Sequence, residues 1–285
     1  MNNIYHTVVI GGGCLGVASA ISVARKLNSN KNTQNVCILE KSVLAGGISS
    51  RHSGIIRSAN ASIQAATFAE EANDMWRNIH QYWGVGVKPE QPGAIWIARN
   101  DKKESAKTWI DLEKNLNKAN IDFCRINSKQ IKELTNGFIR VNEEHEIYFH
   151  EPNAMLFDPI KVRNTMYSAL EINNVKLKEN TRVIDFELQS GSKIKKIRTN
   201  HGNIFAENII NAAGGWSPQI FSTIDVKIPV SLQPVYVSNW LISKKKLPKN
   251  FPIIADYINL SYFRTWRDGE LHIHQPRDRL SLIHI

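Results

Sequence analysis

Three glycines near the amino terminus have the spacing of a phosphate-binding turn. Gly11, Gly13 and Gly16 fit the pattern G-x-G-x-x-G. In this pattern the first glycine permits a tight turn, the second lets the backbone approach a pyrophosphate, and the third allows a helix to pack closely on a strand. Glu40 follows Gly16 by 24 residues, where a carboxylate can accept hydrogen bonds from ribose hydroxyls. The spacing predicts dinucleotide binding, and the alternative is a glycine turn with a structural role only.

The surrounding residues predict the elements that would position this turn. Residues 6–10 form a β-branched run, and apolar residues recur at helical spacing over residues 18–27. A second apolar run, residues 36–39, leads into Glu40 and completes a βαβ unit. Further along, residues 61–83 predict one long helix whose apolar stripe packs in the core. The βαβ unit places the glycines at the start of a helix, where phosphates bind.

The stretch after Glu40 favours FAD over a nicotinamide cofactor. Residues 41–57 keep a Gly- and Ser-rich loop where a nicotinamide enzyme would usually continue into its next βα unit. Here the sequence resembles the FAD-dependent D-amino acid oxidase superfamily, which includes glycine, sarcosine and dimethylglycine oxidases. It looks nearest to the beta subunit of heterotetrameric sarcosine oxidase. The corresponding loop of that subunit also carries an arginine and ends in Ile-Ile-Arg-Ser, as do Arg51 and residues 55–58.

Two later blocks resemble the same superfamily. Asp158 and Pro159 precede a helix, with the aspartate as N-cap and the proline at the first helical position. Residues 198–217 resemble the family's strand meander and its Asn-Ala-Ala-Gly-x-Trp-Ser loop beside the FAD. The likeness therefore covers nearly the whole chain.

The resemblance implies an α/β fold with two domains. One is a discontinuous Rossmann-like FAD-binding domain of the glutathione reductase type 2 style, expected over residues 1–84 and 150–219. The other is an α+β substrate domain with an antiparallel sheet, expected over residues 85–149 and 220–285. Family members usually continue through a Gly-rich strand and helix, and the tail at 279–285 does not match that continuation, so we expect the substrate domain to be C-terminally incomplete.

FAD is the cofactor that the resemblance implies. The cofactor-binding residues expected from the motif and the resemblance are Gly11, Gly13, Gly16, Glu40, Lys41, Gly47, Ser50, Arg51, His52, Val183, Ala213, Gly214 and Trp216. Related enzymes link FAD through a histidine in this loop, but the alignment places Arg51 there and His52 one position away. Non-covalent FAD is therefore predicted. Phe157 stands where the sarcosine oxidase beta subunit attaches FMN to a histidine, so a covalent FMN is not expected.

Arg57 and His272 are the catalytic residues that the resemblance suggests. A fixed guanidinium at Arg57 can pair bidentately with an amino acid carboxylate, and the alternative is a solvated loop arginine or a phosphate contact. His272 stands near a position where some relatives carry a lysine that helps oxygen accept electrons. The alternative is that His272 and His274 form a surface pair on an amphipathic strand.

These residues predict an FAD-dependent oxidoreductase that oxidises the C-N bond of a small amino acid or N-methyl amino acid by hydride transfer to flavin N5. One alternative is a 2-hydroxy acid dehydrogenase, because residues 52–56 also resemble loops of 2-hydroxyglutarate enzymes. Another is a non-catalytic or truncated FAD-binding subunit. The expected partners are a substrate with a free carboxylate and, further, an electron acceptor or partner subunits.

Composition argues against nucleic-acid binding, a metal site and a membrane span. The 36 Lys and Arg against 26 Asp and Glu give a net charge of +10, but the lysines are dispersed apart from the run at 244–246, so nucleic acid is not an expected partner. The three cysteines lack the spacing of a zinc site or a disulfide framework, and no metal is predicted. No membrane span is predicted either, because glycines interrupt the uncharged stretch at 8–24. A cytoplasmic location is expected.

Overall fold

A computed structural model describes most of the chain. It covers residues 4–27, 35–60, 62–101, 103–189, 193–232, 237–241, 247, 250–259, 261–266 and 270–274. The lysine run at 244–246 and the tail at 279–285 lie outside the described residues.

The described part of the chain contains 15 strands and seven α-helices. The strands are β1 (Ile4–Ile10), β2 (Val36–Leu39), β3 (Ile55–Ile56), β4 (Ala94–Arg99), β5 (Cys124–Ile126), β6 (Glu146–Glu151), β7 (Met155–Leu156), β8 (Lys176–Lys178), β9 (Val183–Gln189), β10 (Lys193–Thr199), β11 (Gly202–Asn211), β12 (Val237–Leu241), β13 (Ile253–Asp256), β14 (Ser261–Trp266) and β15 (Glu270–His274). The α-helices are α1 (Cys14–Leu27), α2 (Ile63–Arg77), α3 (Ile79–Trp83), α4 (Lys103–Lys118), α5 (Ser128–Thr135), α6 (Pro159–Ile172) and α7 (Ser217–Phe221). Among the described helices, none is long and apolar enough to cross a membrane.

The chain forms two compact units, each built from separate stretches. Unit 1 comprises Met1–His52, Asn78–Val87 and Asp158–Leu232. Unit 2 comprises Ser53–Arg77, Lys88–Phe157 and Gln233–Ile285.

Unit 1 contains a six-stranded sheet in the order β8-β2-β1-β11-β10-β9. The first four of these strands run parallel, and β11, β10 and β9 form an antiparallel meander. β11 is one continuous strand of 10 residues. This strand joins the parallel and antiparallel parts, because it pairs with both β1 and β10.

Two helices pack beside the parallel strands of unit 1. The buried residues of α1 recur every three or four positions from Val17 to Ala24, which includes Ile21 and Ala24 of the predicted apolar stripe, whereas Ala18 of that stripe is exposed. α6 begins where its capping residue predicts, because the Asp158 carboxylate accepts a hydrogen bond from the Ile160 N–H at 2.8 Å and Pro159 occupies the first turn. These helices and the central strands therefore hold the glycine turn, which connects β1 to α1.

Unit 2 contains a seven-stranded sheet in the order β12-β15-β14-β13-β4-β6-β5. Its neighbours are antiparallel except β13 and β4, which run parallel. Trp96, Phe123 and Phe149 lie in the core beside this sheet. β3 and β7 form a separate antiparallel ribbon.

The units differ in their bounds from the domains predicted from the sequence. Residues 53–77, expected in the FAD-binding domain, group with unit 2 because β3 pairs with β7 and because Ala59 and Ala66 join the Trp96 core. Residues 150–157 also group with unit 2, and residues 220–232 group with unit 1. The division into an FAD-binding and a substrate domain stays a prediction.

The prediction of one long helix over residues 61–83 is wrong. The structure has α2 and α3 there. Phe68 and Met75 of the expected core stripe are 73% and 44% exposed, whereas Ile79 and Trp83 of the same stripe are buried in α3. α2 buries Ala66 and Asn73 instead. The reason is tertiary, because the Asn73 side-chain amide donates a hydrogen bond to Ser58 Oγ at 2.5 Å.

Candidate dinucleotide-binding site

A large cavity lies at the carboxyl ends of the parallel strands in unit 1. Its volume is about 1010 Å³, at the upper end of the range of about 300–1,000 Å³ for small-molecule sites. Ile10 and Leu39 line it from the ends of β1 and β2, Cys14 from the start of α1, and Ala212 from the segment after β11. In open α/β sheets this edge is where ligands bind. The cavity therefore has the place and the size for a dinucleotide.

Glycine is required at two positions of the turn that borders this cavity. Gly11 has a φ of 108°, and a Cβ there would lie 2.4 Å from the carbonyl oxygen of Ala212. A Cβ at Gly16 would lie 1.9 Å from the carbonyl oxygen of Gly11. Gly11 and Gly13 line the cavity, whereas Gly16 lets α1 approach the turn. The turn thus presents bare backbone to a ligand.

The amino-terminal end of α1 opens into the cavity. The first backbone N–H groups of a helix lack partners within the helix and lie at the positive end of its dipole, so they favour an anion. Leu15 and Ile48 line the cavity although they are 78% and 61% exposed, which is apolar surface that a bound ligand would cover. Burial raises the pKa of the Cys14 thiol, while a hydrogen bond with Ser49 opposes the shift.

Glu40 holds its carboxylate at the rim of the cavity. Its Oε2 accepts a hydrogen bond from the Gly12 N–H at 2.8 Å, and its Oε1 accepts one from the Ser42 N–H at 2.9 Å. A carboxylate has about four lone-pair positions, so positions remain to accept hydrogen bonds from ribose hydroxyls. This geometry fits the role predicted from the spacing.

Lys41, Gly47 and Trp216 come together from three segments of unit 1. The Lys41 ammonium lies 3.5 Å from the centroid of the Trp216 ring, which is a cation–π contact. A Cβ at Gly47 would lie 3.4 Å from the same ring, so the indole covers the glycine backbone. Burial lowers the pKa of Lys41, with Glu40 opposing the shift and Arg182 adding to it.

Most of the residues predicted to bind the cofactor line this one cavity. Those that do are Gly11, Gly13, Glu40, Lys41, Gly47, Arg51, Val183, Ala213, Gly214 and Trp216. Gly16, Ser50 and His52 belong to the same unit but are not part of its lining. Within the described residues, no group of His, Cys, Asp and Glu side chains is arranged to hold a metal ion. The individual cofactor roles stay predictions.

The sequence did not identify several other lining residues. Leu15 occupies one of the variable positions of the glycine pattern, where the helix begins. Its position in this pattern was a signal that could have identified it. Gln219 and Thr223 also line the cavity, from the segment after Trp216, and no pattern in the sequence marks them.

Arg57 lies in unit 2, on a loop whose backbone N–H groups donate hydrogen bonds to the buried carboxylate of Glu151. Its guanidinium carbon is 4.9 Å from the centroid of the Trp96 ring, and its Nη1 donates to the Ala59 carbonyl oxygen. Oε1 of Glu151 accepts hydrogen bonds from the N–H groups of Ser58 and Ala59 at 2.6 and 3.0 Å. The sequence did not identify Glu151, whose partners are distant along the chain.

His272 also lies in unit 2. It belongs to β15 and pairs in register with Arg264 of β14. Arg264 is buried, and its Nη1 donates a hydrogen bond to the Thr265 carbonyl oxygen at 3.0 Å. The catalytic roles of Arg57 and His272 stay predictions.

Sequence comparison identifies the family. The DAO family, described as FAD dependent oxidoreductase, matches residues 6–280. The chain belongs to this family. The DAO family uses FAD, which confirms both the predicted resemblance and the predicted cofactor. The cavity of unit 1 fits that cofactor, since a helix terminus, a rim carboxylate and an apolar wall occur together in its lining.

Named relatives and a solved structure are similar to the chain. The chain is 26% identical to human mitochondrial dimethylglycine dehydrogenase, over 93% of this chain and 30% of that protein. It is 25% identical to sarcosine oxidase subunit beta from an Arthrobacter species, over 81% of this chain and 56% of that protein. The structure of L-proline dehydrogenase from P. horikoshii matches with a TM-score of 0.80 and 21% identity, over 96% of this chain and 70% of that one. This match confirms the predicted fold class.

The chain spans under a third of human dimethylglycine dehydrogenase and just over half of the Arthrobacter sarcosine oxidase subunit. The activity, substrate and partners of the whole protein are therefore taken up as proposals.

Proposed function

We propose that the protein is an FAD-dependent oxidoreductase that oxidises the C-N bond of a small amino acid or N-methyl amino acid. The observation that carries the proposal is the cavity of unit 1, where the glycine turn, the start of α1, Glu40 and Val183 share one lining. Membership of the DAO family supports the cofactor. The names of two relatives, dimethylglycine dehydrogenase and sarcosine oxidase subunit beta, support an N-methyl amino acid as the substrate class.

Residues of unit 1 would hold FAD, which supplies a two-electron acceptor when it is bound. The N–H groups at the start of α1 would bind the pyrophosphate, because they are unpartnered within the helix and lie at its positive end. Glu40 would accept hydrogen bonds from the ribose hydroxyls with its remaining lone pairs. The strand that begins at Val183 would contact the adenine. Arg51, an exposed cation in the lining, would favour negative charge on the reduced cofactor.

Arg57 would bind the substrate carboxylate. Its guanidinium is restrained by the Trp96 ring and by the Ala59 carbonyl, and its loop is held by Glu151. A planar guanidinium restrained in this way can form two parallel hydrogen bonds to a carboxylate with little further loss of freedom. The residue would orient the substrate without exchanging protons, since arginine stays charged. His272 would act near the substrate in the same unit.

The whole protein would also associate with partner subunits or transfer electrons to a carrier. The name of the Arthrobacter relative, a subunit of sarcosine oxidase, supports partner subunits. Size-exclusion chromatography of the endogenous protein would reveal such an assembly as an elution volume well below that of the isolated chain.

The visible spectrum of the purified protein tests the function. We expect bound flavin that bleaches when sarcosine is added without oxygen, and that stays oxidised when a 2-hydroxy acid is added. Flavin that bleaches with the hydroxy acid alone would contradict the proposed substrate class. A protein that binds no FAD when the cofactor is supplied in excess would contradict the proposal as a whole.

A further inference from the structure

One wall of the cavity is a loop with no helix or strand of its own. Ser42, Ala45, Gly46 and Gly47 all line the cavity. Ala45 has a φ of 56°, in the left-handed region that residues with a Cβ rarely adopt. Such a conformation costs free energy and persists only where the surroundings hold it in place. Something outside the loop must therefore fix its shape.

The carboxylate of Glu179, which is not part of the cavity lining, accepts a hydrogen bond from this loop. Its Oε1 accepts a hydrogen bond from the backbone N–H of Leu44 at 2.6 Å, and another from the Tyr167 hydroxyl at 2.5 Å. Leu44 is fully buried, so its N–H has no water to replace this acceptor. The Glu179 carboxylate contacts the loop and not the cavity itself.

Hydrogen bonds continue from the loop to the glycine turn. The Ala45 N–H donates to the Gly12 carbonyl oxygen at 2.8 Å, and the Gly12 N–H donates to Glu40 Oε2 at 2.8 Å. The segment after Glu179 also bonds directly to Glu40, because the Thr181 N–H donates a hydrogen bond to the Glu40 carbonyl oxygen at 2.8 Å. An unbroken chain of contacts thus links Tyr167 on α6, through Glu179, to both phosphate-binding and ribose-binding positions.

We propose that Glu179 is a positioning residue for the cofactor: it fixes the loop Ser42–Gly47 and the glycine turn in their binding shapes and thereby sets the affinity for FAD. The proposal rests on the proposed function, because it requires the cavity to bind this cofactor. A carboxylate is suited to the task, since hydrogen bonds to a charged acceptor are stronger than those to a neutral one. Loss of the acceptor would leave the loop to be ordered by the ligand, which weakens binding.

Four variants of the full chain test this role. Glu179→Ala removes the acceptor, Glu179→Gln keeps one acceptor oxygen without the charge, and Tyr167→Phe removes the hydroxyl that orients the carboxylate. Glu171→Ala, at an exposed glutamate near the end of α6, is the matched control for loss of a negative charge. The dissociation constant for FAD is measured by quenching of flavin fluorescence, and that for ADP by calorimetry. The melting temperature without ligand is recorded for each variant.

We expect Glu179→Ala to weaken FAD and ADP by about tenfold or more, as when a buried donor loses its acceptor. Tyr167→Phe should weaken both by less, and Glu179→Gln should restore most of the affinity. Rescue by glutamine separates positioning from a general electrostatic attraction. Should Glu179→Ala fail to fold, Tyr167→Phe and Glu179→Gln carry the test.

Three results would overturn the proposal. Wild-type affinity in both Glu179→Ala and Tyr167→Phe would show that the contact has no effect on binding, while the proposed function would stand. Equal losses in Glu179→Ala and Glu171→Ala would assign the effect to net charge. A wild-type chain that binds neither FAD nor ADP would remove the proposed function and this inference together.

Discussion

Replacing Glu151 by alanine should destabilise unit 2, because this carboxylate is the acceptor for three buried donors. Its Oε1 accepts from the backbone N–H groups of Ser58 and Ala59 at 2.6 and 3.0 Å, and its Oε2 accepts from the indole N–H of Trp96 at 3.1 Å. Glu151 is 1% exposed, and all three donor residues are buried. Water therefore cannot take the place of the acceptor.

The contacts of Glu151 determine how much free energy of unfolding the substitution should remove. A buried donor left without an acceptor costs about 1–3 kcal/mol. Removing one member of a buried charged network typically costs about 3–5 kcal/mol, and the half-buried Arg57 beside Glu151 loses a compensating charge as well. We therefore expect Glu151→Ala to lower the free energy of unfolding by about 3–5 kcal/mol. Glu151→Gln keeps one acceptor oxygen but turns an amide towards one donor, so a loss of about 1–3 kcal/mol is expected.

Urea unfolding monitored by tryptophan fluorescence measures these losses. Glu133→Ala is the matched control, because Glu133 is an exposed glutamate of α5 in the same unit. Its free energy of unfolding should stay within about 0.5 kcal/mol of the wild type, as for most surface substitutions. A Glu151→Ala variant as stable as this control would refute the packing described around Arg57.

The pH dependence gives an independent check on Glu151. Burial raises its pKa above the ordinary 4.5, and the hydrogen bonds and Arg57 oppose but do not cancel that shift. Between the ordinary and the raised pKa the folded state binds more protons than the unfolded state, so this contribution to stability falls as the pH rises. It is fully present below the ordinary pKa. The stability of the wild type relative to Glu151→Gln should therefore decrease as the pH rises through this interval, and an increase would contradict the assigned shift.

Three further outcomes follow from the geometry of the two units. Gly16→Ala should abolish flavin colour and lower the melting temperature, because the added methyl would lie 1.9 Å from the Gly11 carbonyl oxygen. A variant with wild-type colour and melting temperature would refute the close approach of α1 to the Gly11 carbonyl. FAD should slow alkylation of Cys14, which lines the cavity, but not of the exposed Cys124, as measured by mass spectrometry at alkaline pH; equal rates would place the ligand elsewhere. Arg57→Lys should raise the KM for sarcosine by about tenfold through loss of a charge-assisted hydrogen bond, with flavin absorbance retained, and an unchanged KM would argue against carboxylate binding there.

The glycine pattern and Glu40 could be recognised from the sequence because their signals are local. Gly11 and Gly13 lie in the turn between β1 and α1, Gly16 lies in the first turn of α1, and Glu40 directly follows β2, so all four belong to one βαβ unit. The requirement for glycine is steric and acts at each position by itself. Pattern and spacing were therefore enough to predict that Gly11, Gly13 and Glu40 lie close together, and these three line one cavity, while Gly16 packs against Gly11 behind it.

Two loops, one in each unit, depend on hydrogen-bond partners that no local sequence pattern marks. Leu44 and Glu179 are 135 positions apart in the chain, and Ser58 and Glu151 are 93 apart. A glutamate that accepts a hydrogen bond from a distant backbone N–H looks like any surface glutamate in the sequence. The exposed Phe68 illustrates the same limit, because the buried face of α2 is chosen by its tertiary contacts and not by its most apolar stripe.

Glu179 and Glu151 solve the same physical problem in their separate units. Each accepts a hydrogen bond from a buried backbone N–H in a loop whose residues are proposed to meet a ligand. Such N–H groups have no strand or helix partner, and leaving them unpaired costs free energy. Because the acceptor comes from a distant part of the chain, the loop becomes ordered only when its unit has folded. The ordering entropy is then lost during folding instead of during binding, so the ligand meets a loop already in its binding shape.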